Sequence, residues 1–259
     1  MNRAFVPLTV EGTSASPPPG WRWELLVDLA RLESGHTPSR YHPEWWGGDI
    51  PWISLADIRD LDGRVTYETR EHTNEAGIAN SAARVLPEGT VVLSRTASVG
   101  FVTIMGRPMA TSQDFVNWVC TSDLIDPWFL AHLFIGSRSY IRSLASGAIH
   151  QTVYVPTVEK FRVCVPSLEE QRRISDRLKA QLSVVERMRA SMRQQQEALA
   201  DLPGRCCSKR SVGNFEMTAP TRLDAAAITQ SRLADVFAPT YGTTCTSILR
   251  FRWRTPYGT

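Results

Sequence analysis

The sequence predicts an α+β fold, a mixed α/β domain followed by one long coiled-coil-forming helix. Three observations carry this. Between Trp21 and Pro166, short apolar runs are separated by Gly, Pro and Asp turns, with no regular strand–helix–strand alternation. Within that segment one helix start is strongly signalled, at Asp126-Pro127. After Pro166 comes a polar stretch of roughly 35 residues whose apolar side chains recur at coiled-coil spacing.

In chain order, residues 1–20 end in Ser-Pro-Pro-Pro-Gly and read as an extended lead-in. Residues 21–166 form the domain. Its best strand runs are Ile50–Ser54, Thr90–Ser94, Val99–Met105, Phe115–Cys120 and Phe161–Val165. Asp126 is an N-cap and Pro127 the first helical residue, with Trp128, Phe129, Leu130, Leu133 and Phe134 making that helix apolar. His132 on the same helix reads as a core or interface residue. Residues 167–204 open with Ser167 and Glu170 as a capping box, each side chain satisfying a free backbone N–H of the first turn. Pro203-Gly204 stops this helix, which at 1.5 Å per residue is about 50 Å long. Leu178, Val185, Met192 and Leu199 recur every seven residues, and Leu182, Met188 and Leu202 lie on or near the same stripe. Gln181, Gln195 and Gln196 interrupt it. A seam this narrow predicts pairing with another long helix; packing within a globular domain is the other reading.

Composition excludes more than it selects. Hydrophobic residues make up 42%, enough for a packed core. No apolar run approaches the roughly 20 residues of a membrane span, and the first residues lack a secretory signal. The five cysteines, Cys120, Cys164, Cys206, Cys207 and Cys245, contain no CxxC pair. They indicate neither a zinc site nor a disulfide framework, and a cytoplasmic location follows as the expectation. The net charge is +3 but unevenly spread: up to Pro166 there are 14 Lys+Arg against 17 Asp+Glu, then 8 against 6 to Arg205, then 7 against 3. Bulk charge on the domain therefore does not point to nucleic acid.

Catalytic signatures are missing. A DNA methyltransferase needs a Gly-containing cofactor loop and an Asn/Asp-Pro-Pro-aromatic tetrad; Asp126-Pro127-Trp128-Phe129 places Trp where the second Pro belongs, and a helix N-terminus explains it better. There is no phosphate loop, no H-E-x-x-H and no G-x-S-x-G elbow. Magnesium nuclease chemistry needs clustered carboxylates with a Lys, and the only lysines before residue 200 are Lys160 and Lys179. The expectation is a chain without a catalytic site, cofactor or metal of its own.

Three patches are more informative. The first runs Ser34-Gly35-His36-Thr37-Pro38, then Trp46-Gly47-Gly48-Asp49-Ile50-Pro51-Trp52-Ile53, then Asp57. The second is Leu86-Pro87-Glu88-Gly89-Thr90-Val91-Val92-Leu93-Ser94 into Ala97-Ser98-Val99-Gly100, and later Ala110-Thr111-Ser112-Gln113-Asp114-Phe115. The third is Val165-Pro166-Ser167-Leu168-Glu169-Glu170-Gln171-Arg172-Arg173-Ile174. In order and spacing, from about Pro19 to Leu202, they resemble the specificity subunits of Type I restriction–modification systems. The resemblance implies a target-recognition domain reading one half of a bipartite double-stranded DNA site. It implies a spacer helix that packs on a second such helix and docks methyltransferase subunits through Leu178, Leu182, Val185, Met188, Met192 and Leu199. Those partners carry S-adenosylmethionine and methylate adenine, and a restriction subunit can join them. The family carries two recognition domains and two spacer helices in one chain, whereas no internal repeat is visible here. The chain thus resembles a half-subunit, which specifies a bipartite site most simply as a homodimer.

Base reading needs polar side chains on exposed turns. Three turns supply them: Arg95, Thr96 and Ser98; Thr111, Ser112 and Gln113; and His150 with Gln151, preceded by Arg138 and Arg142. Arg64, Arg70, Arg84, Trp45 and Trp46 are further options, open equally to surface charge or packing roles. Gly35, Pro38, Gly48, Pro51, Trp52 and Gly100 read instead as turn and core residues. Residues 205–259 form an irregular tail. It is either a disordered basic segment or the product of a frame shift near Leu202–Arg205, since permitted codons from Cys206 to Glu216 can spell, in another frame, a run typical of the resembled helix end. An interaction protein or inactive remnant that pairs through its helix without reading DNA is the alternative function.

Overall fold

Alternating side chains of β-branched and aromatic residues point to opposite faces of a strand, so a strand buried on both faces reads as an unbroken apolar run. The strands at the centre of this fold are of that kind. The structure, a computed structural model, describes residues 6–12, 16–147 and 151–200, with 199 and 200 described through their backbone only. The expectations placed on His150, on the side chain of Leu199, on Leu202 and the Pro203-Gly204 stop, and on 205–259 lie outside the described residues. The elements run β1 (Leu8–Thr9), β2 (Arg22–Leu25), α1 (Leu26–Leu29), β3 (Ala30–Ser34), a 3-10 turn (Pro43–Trp45), β4 (Trp46–Ile53), α2 (Ile58–Leu61), β5 (Val65–Thr66), β6 (Glu71–Thr73) and α3 (Glu75–Ala79). They continue with β7 (Val91–Ser94), β8 (Val102–Met105), β9 (Ala110–Thr111), β10 (Phe115–Cys120), α4 (Pro127–Gly136), α5 (Arg138–Ser143), α6 (Val155–Val158), β11 (Arg162–Val165) and α7 (Leu168–Ala200). The mixed α/β architecture with a long C-terminal helix is the one the sequence predicts.

A five-stranded sheet, ordered β3-β10-β7-β8-β5, lies between two apolar clusters. Val91 and Leu93 of β7, Val102 and Ile104 of β8, and Val116 and Trp118 of β10 face the larger cluster, against Phe129, Leu130, Leu133 and Phe134 of α4. Their neighbours Val92, Met105 and Phe115 face the smaller one, with Ile53, Ile58, Leu86 and Met109. Trp118, Phe115, Phe129, Phe134 and Phe161 are fully buried, each stabilising the fold by about 2–3 kcal/mol relative to exposure. A second sheet, β1-β11-β2, closes the larger cluster with Leu8, Val163 and Val165. Part of the 1–20 lead-in therefore belongs to the domain: Leu8 pairs with Val163 and Thr9 with Arg162.

The third sheet, β6-β4-β9, joins the first two sequence patches through the parallel pairs Trp52 with Ala110 and Ile53 with Thr111. Trp52 is buried and its indole N–H donates to the carbonyl of His36 at 3.2 Å. Asp57 accepts from the backbone N–H and the hydroxyl of Ser54 and from the backbone N–H of Arg70. Gly35 approaches β9 so closely that a Cβ there would overlap the Ser112 carbonyl and the Thr111 hydroxyl. The first patch is thus largely structural.

The third patch is a joint between α4 and α7. Asp126 caps α4 by accepting from the Phe129 N–H at 2.8 Å, and it also accepts from the Ser175 hydroxyl at 2.7 Å. Gln171, fully buried, donates to the carbonyls of Leu124 and Pro166 and accepts from the Asp126 N–H. The capping box forms in one direction: the Glu170 N–H donates to the Ser167 hydroxyl at 3.4 Å, while the Glu170 carboxylate pairs with Arg173.

Candidate nucleic-acid interface

The three polar turns singled out in the sequence meet at one end of the five-stranded sheet. β7 ends at Ser94 and runs into the first turn, where the Arg95 N–H donates to the Asp114 carbonyl and the Arg95 guanidinium to the Gln113 carbonyl at 2.7 Å. This ties the 95–98 turn to the turn before β10. The third turn joins through the bridge between Thr96 and Thr152 and through the Ala97 N–H on the Gln151 carbonyl at 3.1 Å. From the other side, α5 fastens itself to the turn: Nε of Arg138 donates to the Gly100 carbonyl at 2.8 Å and Nε of Arg142 to the Val99 carbonyl at 3.0 Å. Two left-handed residues shape the connection, Gly100 at φ +85° and Ala97 at φ 56°. A side chain at Gly100 would also run into Arg138. Ala97 is the only non-glycine residue with positive φ among the described residues, a local strain of the kind that collects at functional sites.

Burial divides the residues assigned to DNA. Thr111 and Ser112 are buried; Thr111 accepts from the Asn117 amide at 2.9 Å and the Ser112 hydroxyl donates to Asp114 at 2.9 Å. Ser98 is buried beneath the turn and accepts from Nε of Arg59 at 3.3 Å. These three hydroxyls build the turns and do not reach out from them. Arg138 is committed as well: Nη2 lies 2.6 Å and 2.8 Å from the two carboxylate oxygens of Asp62, and both side chains are mostly covered. Gln113, Arg142 and Gln151 remain exposed, with Arg95 and Thr96 half-buried. The Gln113 side-chain carbonyl accepts from the Thr37 hydroxyl, so the first patch also reaches this end. Arg59, which no sequence signal marked, lines a cleft of about 280 Å³ here together with Ala97, Phe101, Arg142 and Gln151.

The further options pair elsewhere. Arg64 reaches Glu186 of α7 at 3.9 Å, Arg70 pairs with Asp60 at 2.7 Å and Arg84 with Glu33 at 2.9 Å. Trp46 packs edge-on against Trp52 and under the Arg40 guanidinium, and Trp45 is stacked by His42. Burial lowers the basicity of Arg142, and the adjacent Arg138 charge lowers it further. Burial also pushes the thiols of Cys120 and Cys164 up to about 12, so neither is a reactive thiolate at neutral pH.

The proposed docking stripe is only partly free. Leu178, together with Ile174, is buried in the domain's own core, which corrects its assignment as a partner contact. The reason is register: the stripe that runs along α7 starts with Gln171, Ile174, Ser175 and Leu178 seated on the domain. Leu182 and Val185 are half-buried, and Met188 and Met192 are each 62% exposed. Among the described residues no cluster of three or more His, Cys, Asp or Glu is placed to hold a metal ion. No helix among them is long and apolar enough to cross a membrane.

A profile of the family described as Type I restriction modification DNA specificity domain matches residues 18–190. The chain belongs to this family. The matched span takes in both the domain and most of α7. Among curated relatives, the specificity subunit of the Type I restriction enzyme MjaIX of Methanocaldococcus jannaschii is 27% identical over 148 residues, 56% of this chain and 34% of that one. The HindI specificity subunit of Haemophilus influenzae is 29% identical over 133 residues, 50% of this chain and 28% of that one. The specificity-domain chain thus spans about a third or less of the length of these relatives. Two solved structures share its fold. One comes from work on complex assembly and conformational transition of the type I R-M system, with a TM-score of 0.54 at 17% identity over 86% of this chain and 47% of that one. The other is the HsdS subunit from Thermoanaerobacter tengcongensis, with a TM-score of 0.51 at 18% identity over 86% of this chain and 46% of that one.

Proposed function

We propose that this chain is the DNA-reading component of a Type I restriction–modification assembly and recognises one half of a bipartite double-stranded site. The observation that carries this is the specificity-domain match over residues 18–190, which treats the domain and α7 as one unit. The geometry supports it: three polar turns gather at one end of a rigid, doubly covered sheet, a placement that presents Arg95, Gln113, Arg142 and Gln151 together. In this reading a single domain specifies a bipartite site by pairing as a homodimer, through the free part of the α7 stripe, at Leu182, Val185, Met188 and Met192. The same helix docks methyltransferase subunits, which hold S-adenosylmethionine and methylate adenine; a restriction subunit completes the cleaving form. The chain itself contributes no catalytic group, and it works in the cytoplasm.

Gel-shift titrations of the full chain, alone and with its cognate methyltransferase subunit, test this. Sequence-selective binding that strengthens with the methyltransferase is the expected result. No binding in either condition would instead support an interaction protein that pairs through α7 without reading DNA. Methylation by the chain alone would sink the non-catalytic assignment.

A further inference from the structure

We infer that Arg59 and Arg142 clamp a single backbone phosphate of the DNA in the cleft between the 95–101 turn and α5. The inference rests on the DNA-reading role proposed above; the clamp positions the duplex and does not read a base.

Charge pairing singles the cleft out. The domain carries more Asp and Glu than Lys and Arg, and its arginines are mostly neutralised in place. Arg31, Arg40, Arg70, Arg84, Arg107 and Arg138 each lie within ion-pair distance of a carboxylate. Arg59 and Arg142 have no such partner among the described residues, yet they line the same cleft of about 280 Å³. Arg95, whose guanidinium donates to the Gln113 carbonyl, stands at the neighbouring turn without a carboxylate as well. An anion bound in the cleft gives both guanidiniums a close partner of opposite charge, which the more distant Asp62 carboxylate near Arg142 does not supply.

Tethering decides which anion. Each guanidinium is held through its Nε–H, Arg59 on the Ser98 hydroxyl and Arg142 on the Val99 carbonyl. The Nη groups are left to donate, while the Nε bonds hold both side chains back against the floor of the cleft instead of extended towards a base edge. A group that comes to them from outside, with oxygens matching two planar forks, is a phosphodiester. Phosphate contacts of this kind fix the register on the duplex and leave sequence to the neighbouring residues. The rim is stiff enough to hold such a contact in place, because Arg138 and Arg142 both lie over the Phe101 ring and Ala97 is pinned to the Gln151 carbonyl.

The test uses the full chain with its methyltransferase subunit and two duplex pools, one random and one enriched by selection on the wild-type complex. Arg59→Ala and Arg142→Ala should each weaken binding on the order of ten-fold, by the same factor on both pools. Removing both arginines together should also make the slope of log affinity against log salt shallower by about 0.9, the share of one phosphate, and each single alanine variant by less than that. Arg59→Lys and Arg142→Lys, which keep the charge, should retain most of that slope and so show that an alanine effect is not misfolding. A loss confined to the enriched pool with an unchanged slope would mean base reading and overturn the clamp. Variants equal to wild type on both pools would overturn it too while leaving the DNA-reading role intact. A wild-type complex that binds neither pool defeats that role first and the clamp with it.

Discussion

Arg138 and Arg142 stand one turn apart on α5 and serve different ends. The Arg138 guanidinium bridges both oxygens of Asp62, and its Nε holds the Gly100 carbonyl. With side-chain exposures of only 14% and 22% for the pair, solvent screens it weakly. Arg138→Ala should therefore cost about 2 kcal/mol in urea unfolding, against about 1 kcal/mol or less for Arg142→Ala, which loses one hydrogen bond from an exposed side chain. Equal urea midpoints for the two variants would refute this division. The sequence does not separate the two residues, because what distinguishes them is Asp62, 76 positions away from Arg138. Ser98, Thr111 and Ser112 show the same limit from the other side. Their polarity and turn positions are legible, but not that each hydroxyl is turned inward and bonded. Arg59 carries no signal at all, since it lies within a one-turn helix, Ile58–Leu61, and belongs to the site only through the fold.

At the scale of elements, the sequence reads best where a local rule acts alone. The Asp126 cap, the Pro127 start and the run of β10 depend on neighbours within a few residues, and the structure reproduces them. β2, β3 and β6 escape notice because Arg22, Glu24, Arg31, Glu33 and Glu71 break the apolar pattern, their charges answered along the same strand, Arg22 by Glu24 and Arg31 by Glu33, or from loops, Glu33 by Arg84 and Glu71 by Arg40. The α4–α7 joint also holds a titratable group with no partner. His132 is buried beside Trp128, and neither ring nitrogen has a hydrogen bond among the described residues. Burial, and then the charge of Lys179, hold its pKa down at about 4, against 6.5 for an ordinary imidazole. The unfolded chain takes up this proton first as pH falls, so stability is full above about 6.5, declines through the window down to about 4, and then levels. The loss attributable to this group should approach about 3 kcal/mol. Urea midpoints measured between neutral pH and pH 4 should fall more steeply for the wild type than for His132→Leu; parallel profiles would contradict the assignment.

For the whole molecule, α7 has one apolar stripe with two uses. Its first turns complete the core of the domain, and its later turns continue the same line into solvent through Met188 and Met192. The heptad spacing is legible in the sequence, but where core ends and free surface begins is not, because that boundary is set by how far α4 extends beside the helix. If the free part joins two copies, Met188→Lys with Met192→Lys should shift sedimentation from dimer to monomer and leave the melting temperature of the domain unchanged. Retention of the dimer would place the self-contact elsewhere. A different consequence attaches to the opposite end of the described chain. β11, the last strand before α7, has neighbours on both sides only because Leu8 and Thr9 pair with it. Translation begun downstream of Thr9 would bare that edge, a row of open backbone donors and acceptors at the root of the helix. Such a product should be more prone than the full chain to add strands from other chains.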